Sequence, residues 1–312
     1  QRHLRILFLQ KAGRTEDVLA CFGRDPRYGL YALDRRLVKA FFYGHLPLEV
    51  DDNFYQLEGE MAARARRLRD FWKRVLPQVL RSVPYDVVLT GNYSYAAEQE
   101  LAGACNEVGL PFVALHKECL KTPGLVGFYE HVYATRKNVF QGSDILVYNE
   151  IERGIQIRSG RFREDRIEVV GMPRMDRVHL AREAFAAEGR SVTKRPTVLF
   201  FLFNVKAGLP IIGRKCVDGG FEKLDDEVES LNIEDTAEGT YCALLELARE
   251  HPDVRVVVKT KGDGISNQTV ARFFGPPMSR PANLEIMSGG DMFVELRRAA
   301  VVGGLNTTSL LE

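Results

Sequence analysis

Short apolar runs that alternate with segments of helical spacing limit what this chain can fold into. The runs are rich in β-branched residues and span 4–9, 86–90, 111–115, 145–149, 167–171, 197–203, 254–259, 284–287 and 299–304. Runs that are apolar throughout are typical of strands buried on both faces of a parallel sheet. The segments between them, such as 53–83, 94–108 and 236–250, have helical spacing. The order predicts an α/β fold built from βαβ units.

The length of 312 residues favours two domains over one large core. The clearest boundary lies at 179–196, where a helical pattern runs into a stretch of Gly, Ser, Lys and Pro before a new series of strands. We therefore predict domains at 1–180 and 196–312, each a doubly wound, Rossmann-like sheet. In such folds a ligand binds at the carboxyl ends of the strands, and with two domains we expect the ligand crevice between them.

The charge is nearly balanced, with 43 Lys and Arg against 42 Asp and Glu, so no global field recruits nucleic acid. Five cysteines without a C-x-x-C pair argue against a disulfide framework or a zinc site. No apolar run reaches 18 residues, and the start of the chain does not resemble a signal peptide. These features predict a cytoplasmic protein. Because segment 53–83 is helical and basic, binding of the protein to the surface of the inner membrane is an alternative. A solvated helix face with Trp72 packed inward is the simpler interpretation of this segment.

Polar residues follow the strand that ends at Thr90. Asn92 and Ser94 are suited to capping the next helix. Alternatively, Asn92, Tyr93 and Glu98 face the crevice and bind a hydroxylated acceptor. The spacing does not decide between these two interpretations.

Ionisable residues also follow the strand at 111–115. His116, Lys117 and Glu118 stand directly after it, and a general base must be an imidazole or carboxylate held in a cleft. The alternative is a surface loop with a local Lys and Glu pair. Further on, Arg174 either binds a phosphate or carboxylate or pairs with Asp176 at the domain boundary.

Lysines and glycines follow two strands in the second half of the chain. Such residues neutralise a diphosphate without a metal ion, and neither loop matches the P-loop or dinucleotide-binding glycine patterns. The residues predicted to bind the donor in these loops are Asn204, Lys206, Lys259 and Lys261, with the amides of Gly262 and Gly264 beside them.

A third such loop closes the chain. A strand ends in Gly303 and Gly304, and hydroxyl and amide side chains at 306–309 open what reads as a helix. Free amides at a helix start bind phosphate, and glycines allow its close approach. Ordinary capping by Asn306 or Thr307 is the alternative.

The motifs "GMPRMD", which closes the first domain, and "AAVVGGLNTTSLLE" resemble those of the GT-B glycosyltransferase superfamily. Residues 90–124 are similar to bacterial surface and capsular polysaccharide biosynthesis proteins, some of them related to CDP-glycerol glycerophosphotransferases and Kdo transferases. The resemblance covers 86–312. It implies a GT-B fold with an acceptor-binding N-terminal domain and a donor-binding C-terminal domain. Since that domain normally continues further, we expect its C-terminal portion to be truncated here.

The resemblance also implies roles for single residues. A hydroxyl pair at the helix start, here Thr307 and Thr308 with Ser309 adjacent, binds the donor phosphate. A late glutamate binds the ribose, and Glu312 is the candidate here. Where CMP-sugar transferases carry His-Pro, this chain has "KTKGDG", which weakens a CMP-sugar assignment.

These observations lead to one main functional expectation and two rivals. We expect a metal-independent glycosyltransferase without a cofactor, whose nucleotide-sugar serves as co-substrate and whose acceptor is a saccharide or lipid-linked saccharide. Glu118 or His116 acts as base, Glu98 is a further candidate, and Asn92, Tyr93, Lys117 and Arg174 contact the acceptor. The rivals are a nucleotide-sugar 2-epimerase of the same architecture and a non-catalytic saccharide- or nucleotide-binding module.

Overall fold

The chain divides into two compact units, Gln1–Arg177 and Val178–Glu312. The structure is a computed structural model. It describes residues 3–11, 14–48, 50, 58–117, 119–121, 123–135, 139–188, 195–202, 233–262, 264–305, 307 and 310. The helix Arg174–Glu188 runs across the division and into the segment predicted as a linker.

Within the described residues the first unit has six strands and six α-helices, and a seventh α-helix, α7, begins in it and continues into the second unit. The strands are β1 (Leu4–Gln10), β2 (Tyr28–Asp34), β3 (Val87–Thr90), β4 (Phe112–Leu115), β5 (Asp144–Val147) and β6 (Ile167–Val169). The helices are α1 (Thr15–Phe22), α2 (Arg35–His45), α3 (Gly59–Ser82), α4 (Ala96–Glu107), α5 (Val126–Thr135), α6 (Glu150–Arg158) and α7 (Arg174–Glu188). All strand pairs are parallel, in the order β2-β1-β3-β4-β5-β6.

Both faces of this sheet are covered, as the apolar runs predict. Along β1, Leu9 packs with α2, α3 and α4, while Ile6 and Phe8 pack on the opposite face with Val18 of α1. Val88 and Leu89 of β3 divide between the two faces in the same way. Side chains alternate along a strand, so a strand buried on both faces has to be apolar at every position.

Strand β2 was missed from the sequence. It pairs with β1 over seven residues, Tyr28 to Asp34, but it lies at the edge of the sheet and its side chains are only partly buried or exposed. An edge strand does not need the β-branched residues that pack on both faces of a central strand, and "YGLYALD" contains no Val, Ile or Thr. The enrichment in β-branched residues that identifies the central strands is therefore absent from it.

The basic helix α3 buries its tryptophan. Trp72 is 7% exposed and contacts Phe41 and Phe71. Among the basic side chains, Arg69 pairs with Glu100 at 2.7 Å. This is the inward-packed arrangement that helix amphipathicity favours. Within the described residues, no helix is both long enough and apolar enough to cross a membrane.

The second unit has a four-stranded parallel sheet in the order β10-β7-β8-β9. Its strands are β7 (Thr197–Phe201), β8 (Arg255–Lys259), β9 (Leu284–Met287) and β10 (Val301–Gly304). The described helices that follow α7 are α8 (Ile233–Glu250), α9 (Gly264–Phe274) and α10 (Met292–Arg298). Val256 and Val258 pack with α8 and α9, whereas Val257 packs with α10, so this sheet is also covered on both faces.

The predicted fold class is confirmed: both units are α/β with parallel sheets. The strand predicted at 197–203 ends at Phe201, and the strand predicted at 299–304 begins at Val301. These differences of two residues are usual at element ends, where pairing stops before the apolar pattern does.

Core packing predicts that two leucines of the first unit contribute unequally to the free energy of unfolding. Leu68→Ala should lower the free energy of unfolding by about 2–5 kcal/mol, because Leu68 is fully buried on α3. Leu48→Ala should change the free energy of unfolding by no more than about 0.5 kcal/mol, because Leu48 is 78% exposed. Urea denaturation followed by the fluorescence of Trp72, the chain's one tryptophan, measures both. Equal losses in the two variants would contradict the packing described.

Candidate functional site

The strand order fixes where each sheet can bind a ligand. In the first unit the chain moves from β1 outward to β2 and then back to β3 on the other side of β1. In the second unit it moves from β7 to β8 and β9, and then back to β10 on the other side of β7. Open α/β sheets bind ligands at such switch points, outside the carboxyl ends of the strands. The two sites are therefore β1/β3 and β7/β10.

A buried arginine occupies the β1/β3 switch point. Arg14, at the start of α1, is 4% exposed, and its Nη2 donates to the carbonyl of Leu115 at the end of β4. Gly91, directly after β3, lies against it, since a Cβ there would be 3.2 Å from Arg14 Nε. Nε and Nη1 have no hydrogen-bond acceptor among the residues that the structure describes.

Charged and phenolic groups surround Arg14. Burial lowers its pKa, and the neighbouring Tyr148 and Asp17 act in the opposite direction. Asp17 is 1% exposed, and its carboxylate lies 3.4 Å from Arg174 Nε and 3.6 Å from Arg177 Nη1. Two guanidinium groups thus pair with the Asp17 carboxylate, and its charge also acts on Arg14. Arg174 forms an ion pair with Asp17, a partner that neither interpretation of the sequence named.

The predicted acceptor-binding residues after β3 and β4 have local partners. Asn92 Oδ1 accepts from the amide of Ser94 at 2.9 Å and from its hydroxyl at 2.8 Å, which forms a turn before α4. The Tyr93 ring is buried, edge-on to His116 at 4.7 Å between centroids. The amide of Lys117 donates to the carbonyl of Gly91 at 3.2 Å, which joins the ends of β3 and β4.

Glu98 lies in a buried ion pair. Its carboxylate accepts from Arg35 Nε and from the hydroxyl of Thr90, and its side chain is 1% exposed. The Arg35 guanidinium lies 4.0 Å from the centre of the Tyr95 ring. A carboxylate with both oxygens engaged in this way is a structural anchor, because removing one partner leaves a buried charge unpaired. The geometry does not favour the sequence-based assignment of Glu98 as a base.

His116 belongs to a buried cluster at the carboxyl ends of β4 and β5. Its Nε2 lies 3.5 Å from Oε1 of Glu152, a residue in the first turn of α6 that the sequence analysis did not single out. The same oxygen accepts from Gln156 at 2.7 Å and from the Tyr133 hydroxyl at 3.4 Å. Lys121 Nζ lies 3.7 Å from the other oxygen.

The cluster holds Glu152 ionised. Burial alone would raise the pKa of this carboxyl, but the hydrogen bond and charge of His116, the charge of Lys121 and the hydrogen bond from Gln156 bring it below its ordinary value. A carboxylate beside an imidazole orients the ring and selects its tautomer. His116 is itself 2% exposed, so the ring is enclosed by protein. The arrangement suits a group that positions the loop after β4 rather than one that contacts substrate directly.

In the second unit, Lys259 ends β8 beside Phe201, the last residue of β7. Burial lowers the pKa of its ammonium group. Within the described part of the chain this ammonium makes no hydrogen bond or ion pair. The chain then turns at Gly262, which has a φ of 68° and donates its amide to the hydroxyl of Thr260 at 3.2 Å. Lys261, also predicted to bind the donor, is exposed in this turn.

The glycines that end β10 have close neighbours within their own unit. A Cβ at Gly303 would lie 3.1 Å from the Phe200 ring, and one at Gly304 would lie 2.7 Å from a methyl carbon of Thr307. A side chain at either position would therefore require its neighbour to shift. Approach of a phosphate, the reason given from the sequence, stays a prediction.

Several predicted site residues lie outside the described residues: Glu118, Asn204, Lys206, Asn306, Thr308, Ser309 and Glu312. Among the described residues, no group of three or more His, Cys, Asp or Glu side chains is arranged to hold a metal ion.

Sequence reasoning missed the cations that follow β1. Lys11 donates to the Tyr95 hydroxyl, and Arg14 lies at the switch point. The signal was present in "QKAGRTED", where two cations flank a glycine directly after the first strand. The same criterion that selected the loops after β7 and β8 would have selected this one.

Glu152 gives a pH-dependent prediction. Its folded pKa lies below the ordinary 4.5, so the ionised carboxylate stabilises the fold above pH 4.5, and this stabilisation is lost as the pH falls through the folded value. Glu152→Gln should lower the free energy of unfolding at pH 7 by about 1–3 kcal/mol, and the difference from the wild type should narrow in acid. Glu150→Gln, on the same helix with its side chain 74% exposed, is the matched control. Urea denaturation at several pH values measures both, and a pH-independent difference for Glu152→Gln would refute the assignment.

Comparison with known proteins gives structural neighbours. No family model and no curated protein matches the sequence. A structure of S. aureus MnaA with UDP matches with a TM-score of 0.53 at 12% identity, and the match covers 99% of this chain and 75% of that one. A UDP-GlcNAc 2-epimerase from Neisseria meningitidis bound to UDP-GlcNAc matches with a TM-score of 0.51 at 10% identity, over 99% and 79%. At such identities the likeness shows the fold alone, and that fold is the GT-B arrangement of two Rossmann-like domains.

Proposed function

We propose that this protein is an enzyme that acts on a nucleotide-linked sugar, and that it inverts the configuration at carbon 2 of that sugar. The observation that carries the proposal is Lys259. A partly buried ammonium without a partner in the described residues, one strand away from the β7/β10 switch point, is suited to a phosphate. A nucleotide diphosphate is the ligand that such a sheet edge accommodates.

The structural neighbours support the choice of substrate and reaction. The S. aureus structure contains UDP, and the N. meningitidis protein is a 2-epimerase bound to UDP-GlcNAc. Both match the fold of this chain, in which Lys259 and the buried Arg14 stand at the carboxyl edges of the two sheets. We therefore take UDP-GlcNAc as the substrate to test first.

The proposed inversion requires two kinds of group in the site. Inversion at carbon 2 requires a base that removes a proton from one face and an acid that returns it to the other. Removal of the proton at carbon 2 expels the diphosphate from carbon 1, and the diphosphate adds back to carbon 1 when carbon 2 is protonated on its other face. The charge that the diphosphate carries in between requires fixed cations and amides. In this proposal Lys259 supplies the second function, and Glu118, which lies outside the described residues, is the base. The His116 and Glu152 cluster lies at the end of β4, and Glu118 follows His116 by two residues in the sequence.

Glycosyl transfer is the second candidate. It is favoured by the resemblance of residues 90–124 to polysaccharide biosynthesis proteins, and it needs the same stabilisation of a departing diphosphate. It differs in requiring an acceptor, a saccharide or lipid-linked saccharide, whose hydroxyl the base would activate. Residues Asn92, Tyr93, Lys117 and Arg174 remain the candidates for contact with that acceptor.

One incubation separates the candidate reactions. With UDP-GlcNAc alone, we expect the 2-epimer to form, visible as a new anomeric proton signal by NMR. Release of UDP only after a saccharide acceptor is added would instead identify a transferase. Binding of UDP-GlcNAc without turnover under either condition would identify a non-catalytic binding module and refute the proposal.

Lys259 provides a binding prediction. Lys259→Ala should weaken UDP binding by about 10–100-fold, the effect of losing one charge-assisted contact to phosphate. Lys39→Ala, on α2 of the other unit, controls for the loss of a lysine charge. Isothermal titration calorimetry measures both variants. Unchanged UDP affinity in Lys259→Ala would remove this residue from the site.

A further inference from the structure

A positively charged cavity lies at the edge of the second unit's sheet opposite the one that carries Lys259. It has a volume of about 480 Å³, and its lining includes Arg195, Arg249, Arg280 and Asn283. Arg195 lies two residues before β7, Asn283 directly precedes β9, and Arg249 is in the last turn of α8. The cavity is therefore at the amino ends of the strands, whereas Lys259 is at a carboxyl end.

Backbone carbonyls hold two of these guanidinium groups in place. Arg195 donates from Nε to the carbonyl of Asp253 at 3.0 Å and from Nη2 to that of Pro252. Arg280 donates from Nε and Nη2 to the carbonyl of Gly275, at 3.1 and 2.7 Å. A guanidinium has five N–H donors, so each group has three left after these bonds. Neutral carbonyls orient the groups but do not neutralise their charge.

The arginines of this cavity differ from most others in their unit. Arg255, Arg272, Arg297 and Arg298 each form an ion pair with a glutamate. Within the described residues, the three cavity arginines have no carboxylate partner, and no carboxylate lines the cavity.

Glu285 lies close enough to the cavity for the charge of Arg195 to act on it. Hydrogen bonds from Arg255, which donates to both Glu285 oxygens at 2.9 and 2.6 Å, are the largest cause of the lowered pKa of Glu285, and the charge of Arg195 contributes less. Glu285 is thus already paired with another arginine. Among the described residues, no carboxylate forms an ion pair with the three cavity arginines.

The cavity walls are fixed and partly apolar. Asn283 is 5% exposed, and its amide nitrogen donates to the carbonyls of His251 and Val254 at 3.0 and 2.8 Å, which ties the start of β9 to the turn before β8. Pro252 and Ala282 add apolar surface. A preformed cavity of this volume, with a few oriented polar groups, has the properties of a small-molecule site.

We propose that this cavity binds a small compound with two or more phosphate charges, at a site separate from the carboxyl edge that carries Lys259. Guanidinium groups bind phosphate through paired hydrogen bonds, and three of them match a diphosphate or a bisphosphorylated compound better than a single carboxylate. A ligand held there would connect the end of α8 with the starts of β7 and β9. It would thereby stabilise the second unit.

Inorganic pyrophosphate is the probe, titrated calorimetrically into the whole chain at physiological salt. Arg249→Gln and Arg195→Gln should each weaken one binding phase at least tenfold, in line with the loss of a charge-assisted hydrogen bond. The Arg249 side chain makes no hydrogen bond within the described residues. We therefore expect its replacement to leave the fold intact, which thermal unfolding verifies. Arg182→Gln, an exposed arginine on α7 of the same unit, is the matched control and should have no effect.

Lys259→Ala distinguishes this site from the proposed nucleotide site. The phase that the arginine variants weaken should be unchanged in Lys259→Ala, even if that variant binds no UDP. Pyrophosphate binding that depends on Lys259 and not on the arginines would overturn the inference, as would an equal effect of Arg182→Gln. Absence of binding to the wild-type chain at this salt concentration would overturn it too. None of these outcomes depends on which reaction the enzyme catalyses.

Discussion

Every pair of neighbouring strands in both sheets is parallel, and the other features of the molecule depend on this. A chain that pairs its strands in parallel has to return from the end of each strand to the opposite edge, and here it returns mostly through helices. The helices cover both faces of each sheet, which is why the central strands carry apolar side chains on both faces over most of their length. All strands of a sheet then end at the same edge, so residues far apart in the sequence, such as Arg14, Gly91 and Leu115, come into contact there.

The two sheets differ in how the charged side chains at their edges are paired. At the carboxyl edge of the first sheet, buried carboxylates are matched by cations: Glu98 with Arg35, Glu152 with Lys121 and His116. Such pairs contribute little net stability compared with apolar packing, but losing one partner is costly, so they fix the geometry of the loops that bear them. The second unit instead keeps cations without carboxylate partners in the described residues, Lys259 at one edge and the three cavity arginines at the other.

The sequence was sufficient to predict the class of fold and nine of the ten strands in the described residues, because burial on both faces imposes a pattern that can be read locally. It did not indicate β2, whose edge position removes that pattern. The polar residues that follow several strands were identified from their position in the sequence, but the residues with which they form ion pairs and hydrogen bonds were not. Asp17 and Arg174 are 157 residues apart, and no spacing rule relates residues across such a distance. The Phe200 ring beside Gly303 was also not indicated by the sequence, where the glycine was attributed to the approach of a ligand.

The contact between Gly91 and Arg14 has a consequence for how this protein can change over evolution. A Cβ at position 91 would lie 3.2 Å from Arg14 Nε and press on that side chain, and a shorter residue at position 14 would leave a void beside the glycine. Each position therefore limits the other, although 77 residues separate them. Relatives that carry a larger residue at 91 should also carry a smaller one at 14, so the two sites should vary together and a change at one alone should be rare.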